Sequence, residues 1–188
     1  MNTTLYIKNM VCDRCIMAVG QVLKDQDLHA LSVDLGEVHV EDVLSDGQRD
    51  RLRKALEDLG FELLDDKRQQ TIGQIKNAII KLVHYHNDDS AVNLSDYLSE
   101  MLHSDYSALS KLFSEVVGKT IGRYYIEQRV ERVKELIKYD QLSLTQIANK
   151  MNYSSVAYLS SQFKSVTGMT PSAFKAQKKN TLKALDKI

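Results

Sequence analysis

Leu94–Thr120 reads LSDYLSEMLHSDYSALSKLFSEVVGKT, and Leu144–Thr170 reads LTQIANKMNYSSVAYLSSQFKSVTGMT. The second stretch repeats the first at an offset of fifty residues, with no insertion. Leu94, Leu109, Phe113, Gly118 and Thr120 return as Leu144, Leu159, Phe163, Gly168 and Thr170. Met101, Ser104 and Ser110 return as Met151, Ser154 and Ser160, and Tyr124 returns as the aromatic Phe174. Each copy reads as a short helix, a turn and a second helix. Asn93 and Ser143 are the N-cap candidates, with Asp96 and Gln146 at the N3 places. The first helices carry Leu94, Leu98 and Met101, or Leu144, Ile147, Ala148 and Met151, on one face. The second helices turn Leu109, Leu112, Phe113 and Val116, or Leu159, Phe163 and Val166, to the core. Gly118 and Gly168 end them. The units span about 93–118 and 143–168. A duplicated helix-turn-helix with small polar residues on its second helix suggests two DNA-reading heads in one polypeptide.

Working outward, Ile126, Val130, Val133 and Ile137 stripe a helix from about 121 to 139 that joins the units. Ile72, Ile75, Ile79, Leu82 and Val83 stripe another, from about 69 to 86. HNDDSAVN, 86–93, reads as a loop. The first 65 residues follow a different rhythm. Leu5 and Ile7 alternate with Tyr6 and Lys8, as in a half-buried strand. Ile16, Val19, Val22 and Leu23 then repeat at helical spacing. Leu31, Val33 and Leu35 alternate up to a turn at Gly36, and Val38 and Val40 alternate after it, which predicts a hairpin. Ser45 and Gln48 form a capping box for a helix expected to turn Leu52, Leu56 and Leu59 inward. Gly60 ends that helix, and Phe61, Leu63 and Leu64 make a last strand. The expected architecture is α+β: a ferredoxin-like βαββαβ domain over 1–66, then an all-α double helix-turn-helix domain over 67–188.

The formal net charge is zero, yet the two parts differ in sign. Residues 1–70 hold 9 Lys+Arg against 14 Asp+Glu, a net −5, and residues 71–188 hold 16 against 11, a net +5. A moderately basic back half suits a polyanionic partner. The start, MNTTLYIKNM, lacks a basic segment followed by an apolar one, and no apolar run approaches the roughly 20 residues of a membrane span. The expected setting is therefore cytoplasmic, with no membrane partner. In a reducing compartment the two cysteines are thiol ligands or redox groups rather than a structural disulfide. There is no phosphate loop, no Ser/His/Asp arrangement and no carboxylate pair in a recognisable context, so no enzyme is expected.

Cys12 and Cys15 lie where the first strand gives way to the first helix. Orphan N–H groups and the helix dipole favour thiolate there. Two thiolates suit a soft ion of low coordination number such as Cu(I), whereas Zn(II) prefers four ligands. His84 and His86 stand two apart on a predicted helix and point in different directions, so they read as packing or solvent-facing residues.

The run MVCDRC, with LGFELL near the end of the segment, resembles a heavy-metal-associated domain over residues 3–65. The resemblance implies Cys12 and Cys15 as ligands of a soft metal ion: Cu(I), or Ag(I), Zn(II), Cd(II) or Hg(II). It implies Met10 as a buried prop of the loop and Phe61 as the aromatic near the site. Cys-x-x-Cys is also a redox signature, but the redox family places a proline beside its cysteines, and the one proline here, Pro171, is distant.

Residues 70–178 resemble an AraC-type DNA-binding domain. Ile147-Ala148, Phe163-Lys164, Gly168, Thr170-Pro171 and Phe174 carry the likeness. Asn152 stands where that family has a turn glycine, and asparagine tolerates the left-handed conformation the turn needs. The resemblance implies DNA contacts from Ser107, Ser110 and Lys111 in the first unit and from Ala157, Tyr158, Ser160 and Ser161 in the second, with Lys164 towards phosphate. Small hydroxyls read bases weakly, so phosphate contacts and DNA deformability are expected to supply much of the affinity. The resulting expectation is a sequence-specific transcription regulator of double-stranded DNA that responds to a soft metal. The alternatives are a front domain that docks a metallochaperone or a second protomer, or one that acts as a thiol redox switch.

Overall fold

The structure is a computed structural model that describes residues 3–85, 93–177 and 182–188. The chain divides into two compact units, Met1–Ala78 and Ile79–Ile188. The division falls beyond the boundary expected at residue 66, inside a helix.

In the first unit the order is β1 (Thr3–Lys8), α1 (Asp13–Asp25), β2 (Ala30–Asp34), β3 (Glu37–Val40), α2 (Asp46–Glu57) and β4 (Glu62–Leu64). The strands form one antiparallel sheet in the order β2-β3-β1-β4. The period-two alternation of β1 buries Leu5 and Ile7 on one face, with Val38, Val40 and Leu63 beside them. Onto that face α1 brings Val19, Val22 and Leu23, and α2 brings Leu52 and Leu56. The capping box of α2 forms as expected, with the Ser45 hydroxyl accepting from the Gln48 amide and the Gln48 side chain accepting from the Ser45 amide. Gly36 closes the β2–β3 hairpin at φ +81°, a conformation that strains any residue with a Cβ, and a Cβ there would also require the Asn77 side chain to shift.

One expected core position and one expected alternation are corrected. Leu59 is 54% exposed, because α2 ends at Glu57 and the chain turns out of register before reaching it. Leu31 is 50% exposed, because β2 carries an irregularity between Ala30 and Ser32 that breaks strict alternation.

After β4 the chain enters α3 (Lys67–Ile80) almost at once and continues as a π-helical turn, Lys81–Tyr85. The first part of α3 belongs to the first unit. Gln70 donates to the Leu64 carbonyl at 2.9 Å, and Gly73 lies against the Leu64 side chain.

The second unit holds α4 (Leu94–Leu102), α5 (Tyr106–Val117), α6 (Ile121–Tyr139), α7 (Leu144–Lys150), α8 (Val156–Thr167), α9 (Pro171–Ala176) and a short 3-10 turn, Leu185–Lys187. The long helix α6 is its axis, with Val130, Val133, Leu136 and Ile137 packed against Ile147, Leu159, Phe163 and Phe174. Asn93 and Ser143 cap α4 and α7, and Ser143 forms the full box with Gln146. In α4 the expected core residue Met101 is 49% exposed. No helix among the described residues is long and apolar enough to cross a membrane.

Candidate functional site

The thiol pair sits at the start of α1. Cys12 is the N-cap, Cys15 lies in the first turn, and their Sγ atoms are 3.4 Å apart, beyond bonding distance. Both are half-buried. Beneath them Met10 is fully buried in the same core as Phe61, and Cys15 packs against that core. Asn9 went unrecognised in the sequence. It holds the loop from the left-handed region (φ 72°), its amide donates to the Gly60 carbonyl at 3.0 Å, and its own carbonyl accepts the Cys15 thiol at 4.0 Å. One bond ties the cysteine loop to the turn before Phe61, and the other aims Cys15. Sequence pattern gave no sign of this, because asparagine in a loop is ordinary.

The expected thiolate stabilisation is corrected for Cys15. Burial, with the neighbouring Cys12 thiol adding to it, pushes its thiol up against the opposing backbone hydrogen bonds of Val11 and Cys12. Among the described residues no group of three or more His, Cys, Asp or Glu side chains is placed to hold an ion.

The two repeat units share their landmarks. Phe113 and Tyr124 meet at 5.6 Å between centroids, and Phe163 and Phe174, fifty residues on, meet at 5.5 Å. Gly118 and Gly168 end α5 and α8 at φ 75° and 78°. Thr120 and Thr170 cap the following helices. In each unit the second helix buries Leu109 and Phe113, or Leu159 and Phe163, and leaves its opposite face in solvent. Of the residues predicted to meet DNA, Ser107 and Lys111 on α5, and Ala157, Tyr158, Ser161 and Lys164 on α8, are exposed together on that outer face. Ser110 and Ser160 are half-buried at its edge.

A family description for the helix-turn-helix domain matches residues 98–177. Residues 98–177 are a helix-turn-helix domain. The Msm operon regulatory protein of Streptococcus mutans is 26% identical over 142 residues, 75% of this chain and 50% of that protein. An uncharacterized HTH-type transcriptional regulator of Staphylococcus aureus is 30% identical over 116 residues, 62% of this chain and 14% of that protein. The chain thus spans half or less of the length of these relatives. Among solved structures, a transcriptional regulator from Chromobacterium violaceum described by its AraC-type DNA-binding domain is similar at 22% identity and a TM-score of 0.49, over 59% of this chain and 96% of that one. A DNA-binding transcriptional dual regulator from Escherichia coli K-12 is similar at 22% identity and 0.47, over 54% and 89%.

Around this domain lies a polar seam that the sequence did not disclose. His84, in the π-helical turn, meets the Gln128 amide oxygen at 3.1 Å, and Gln128, fully buried, donates to the Tyr124 hydroxyl at 2.9 Å and to the Leu185 carbonyl at 3.2 Å. One turn on, Lys134 and Glu131 form a buried ion pair at 2.7 Å, and the Lys183 amide donates to Glu131 at 2.6 Å. The reading of His84 as a packing residue agrees with this placement. His86 lies outside the described residues.

Proposed function

We propose that this protein is an AraC-type regulator that binds double-stranded DNA through both units of its helix-turn-helix domain, under the control of a soft metal ion held by Cys12 and Cys15. The observation that carries the DNA reading is the pair of matched helices, α5 and α8. They share one burial pattern, and each leaves a polar face in solvent. Two such helices on one axis suit adjacent major grooves, so one chain can read an asymmetric site. Lys111 and Lys164 supply cations for phosphate.

The metal reading is supported by the two sulfurs at 3.4 Å over a buried Met10. The element order βαββαβ with strand order β2-β3-β1-β4 supports a ferredoxin-like, heavy-metal-associated domain. Cu(I) or Ag(I) matches a two-thiol donor set best. Binding releases the Cys15 proton that burial favours, so affinity rises with pH. Metal and DNA are then linked, and each changes the other's affinity by the same factor. The close approach of the sulfurs also favours a second reading, a thiol switch in which an external disulfide oxidant takes two electrons and the two thiol protons and leaves a Cys12–Cys15 disulfide.

Anaerobic titration of the full chain with Cu(I), Ag(I), Zn(II) and Cd(II), scored by DNA affinity, tests the first reading. Cu(I) or Ag(I) is expected to shift affinity, and Cys12→Ser with Cys15→Ser to abolish the shift while DNA binding remains. Independent metal and DNA affinities would end the sensing claim. Thiol counts after aerobic purification separate the redox switch. Lys111→Ala should weaken DNA binding across sequences and lower the salt slope by about one counterion.

A further inference from the structure

The two halves of the helix-turn-helix domain are held to their reading faces by different means. In the second half, the Arg129 guanidinium of α6 lies 4.0 Å from the Tyr153 ring centroid and 5.5 Å from that of Tyr125. The same group donates to the Met151 carbonyl at the end of α7. Tyr153 is buried, and its hydroxyl donates to the Gln162 side chain of α8 at 2.7 Å. Its ring meets Tyr158 edge-on, with centroids 6.0 Å apart. Tyr158 is 52% exposed, on the outer face that also carries Ala157 and Ser161. A chain of contacts therefore runs from the axis helix, through the turn, to the largest exposed side chain on that face.

Fifty residues earlier the equivalents of Arg129, Tyr153, Tyr158 and Gln162 are Ile79, His103, Ala108 and Leu112. Ile79 cannot supply the stacked cation, and Ala108 cannot supply an aromatic on the reading face. Free rotation of an exposed tyrosine would blur base discrimination, whereas a ring braced on Tyr153 arrives oriented.

We propose that Arg129 is a positioning residue for base reading by the second half of the domain, holding Tyr153 and the turn so that the Tyr158 ring packs on a thymine methyl in the major groove. The first half has no counterpart and does not discriminate thymine in this way. The proposal rests on the DNA-binding reading above. A ring edge against the thymine methyl is an apolar contact that no other base offers in that groove.

The full chain is first used to select bound sequences from a random duplex pool, and every thymine of the selected site is then replaced singly by deoxyuridine. At one or two adjacent positions, loss of the methyl is expected to cut affinity about fourfold, the value of one buried methyl group. Tyr158→Phe should keep that penalty and Tyr158→Ala should erase it. Arg129→Lys keeps the charge but not the planar stack, and should erase it too, with the salt slope unchanged. The double variant should be no worse than either single one at that position. Tyr153→Phe, which removes only the hydroxyl bond to Gln162, should lower the penalty and guards against a misfolded Arg129 variant. Arg129→Lys weakening thymine and deoxyuridine sites alike, or a methyl penalty unmoved by Tyr158→Ala, overturns the proposal. Tyr158→Phe weakening all sequences equally also overturns it, since that marks a hydroxyl–phosphate contact. A pool from which the wild type enriches nothing would sink the DNA-binding reading itself, and this inference with it.

Discussion

The two halves of the helix-turn-helix domain share a skeleton and differ in their joints. Both carry the ring pair, at 5.6 and 5.5 Å, and both end the reading helix on a left-handed glycine and restart on a threonine cap. The turns between the paired helices differ. In the first half α4 runs nine residues and ends on His103, left-handed at φ 48°, whereas in the second α7 runs seven and Asn152 takes the left-handed place at φ 51°. The Tyr124 hydroxyl accepts from the Gln128 side chain, while Phe174 has no hydroxyl and lies under Lys134 and Lys138. The repeat is kept where backbone geometry or core volume leaves one answer, and it diverges where a side chain meets a partner.

That comparison can be broken at its strongest point first. Phe113→Ala and Phe163→Ala should each cost about 3–5 kcal/mol, because each removes a fully buried ring with an aromatic neighbour. Denaturant unfolding of the full chain measures this. A loss below about 1 kcal/mol for one of the pair would mean that the two cores are not equivalent.

Acid should then separate the halves. Burial holds His84 below its ordinary value against the opposing pull of Glu135 and the Gln128 bond. The unfolded chain therefore binds the proton more readily, so the stability this neutral histidine supports is complete above about pH 6.5 and is lost as pH falls from there through the lower folded value. Hydrogen exchange should show α4 and α5 losing protection below pH 6.5 before α7 and α8 do. His84→Gln should flatten that dependence, and an unchanged profile would remove His84 as its cause.

Smaller differences follow from the caps and turns. Ser143→Ala breaks a reciprocal box and should cost about 1 kcal/mol, more than Asn93→Ala, which loses the amide and hydroxyl bonds from Ser95 but no reciprocal one. His103→Gly should gain about 0.5–1 kcal/mol by relieving a left-handed non-glycine residue. Asn152→Gly should gain less, since asparagine tolerates that region. Melting temperatures of the four variants rank these effects, and a reversed order would mean that the two turns are strained differently from their dihedral angles.

Much of this was legible in the sequence because it is local. The offset of fifty, the Ser45–Gln48 and Ser143–Gln146 boxes, Gly118, Gly168 and the spacing of Cys12 and Cys15 act through neighbours along the chain, and the structure places each as expected. Exposure of Leu59 and Leu31 was missed because an early helix end and a strand irregularity shift a pattern without altering its letters. What only the tertiary structure decided involves groups far apart in sequence. Asn9 reaches Gly60, Arg129 reaches Met151 and Tyr153, and His84 reaches Gln128. Cys15 shows the limit most plainly. Its place at a helix start predicted an easier thiolate, but partial burial, with the Cys12 thiol beside it, pushed the thiol the other way. A dipole is set by a residue's place in its own helix, whereas desolvation is set by everything the fold brings around it.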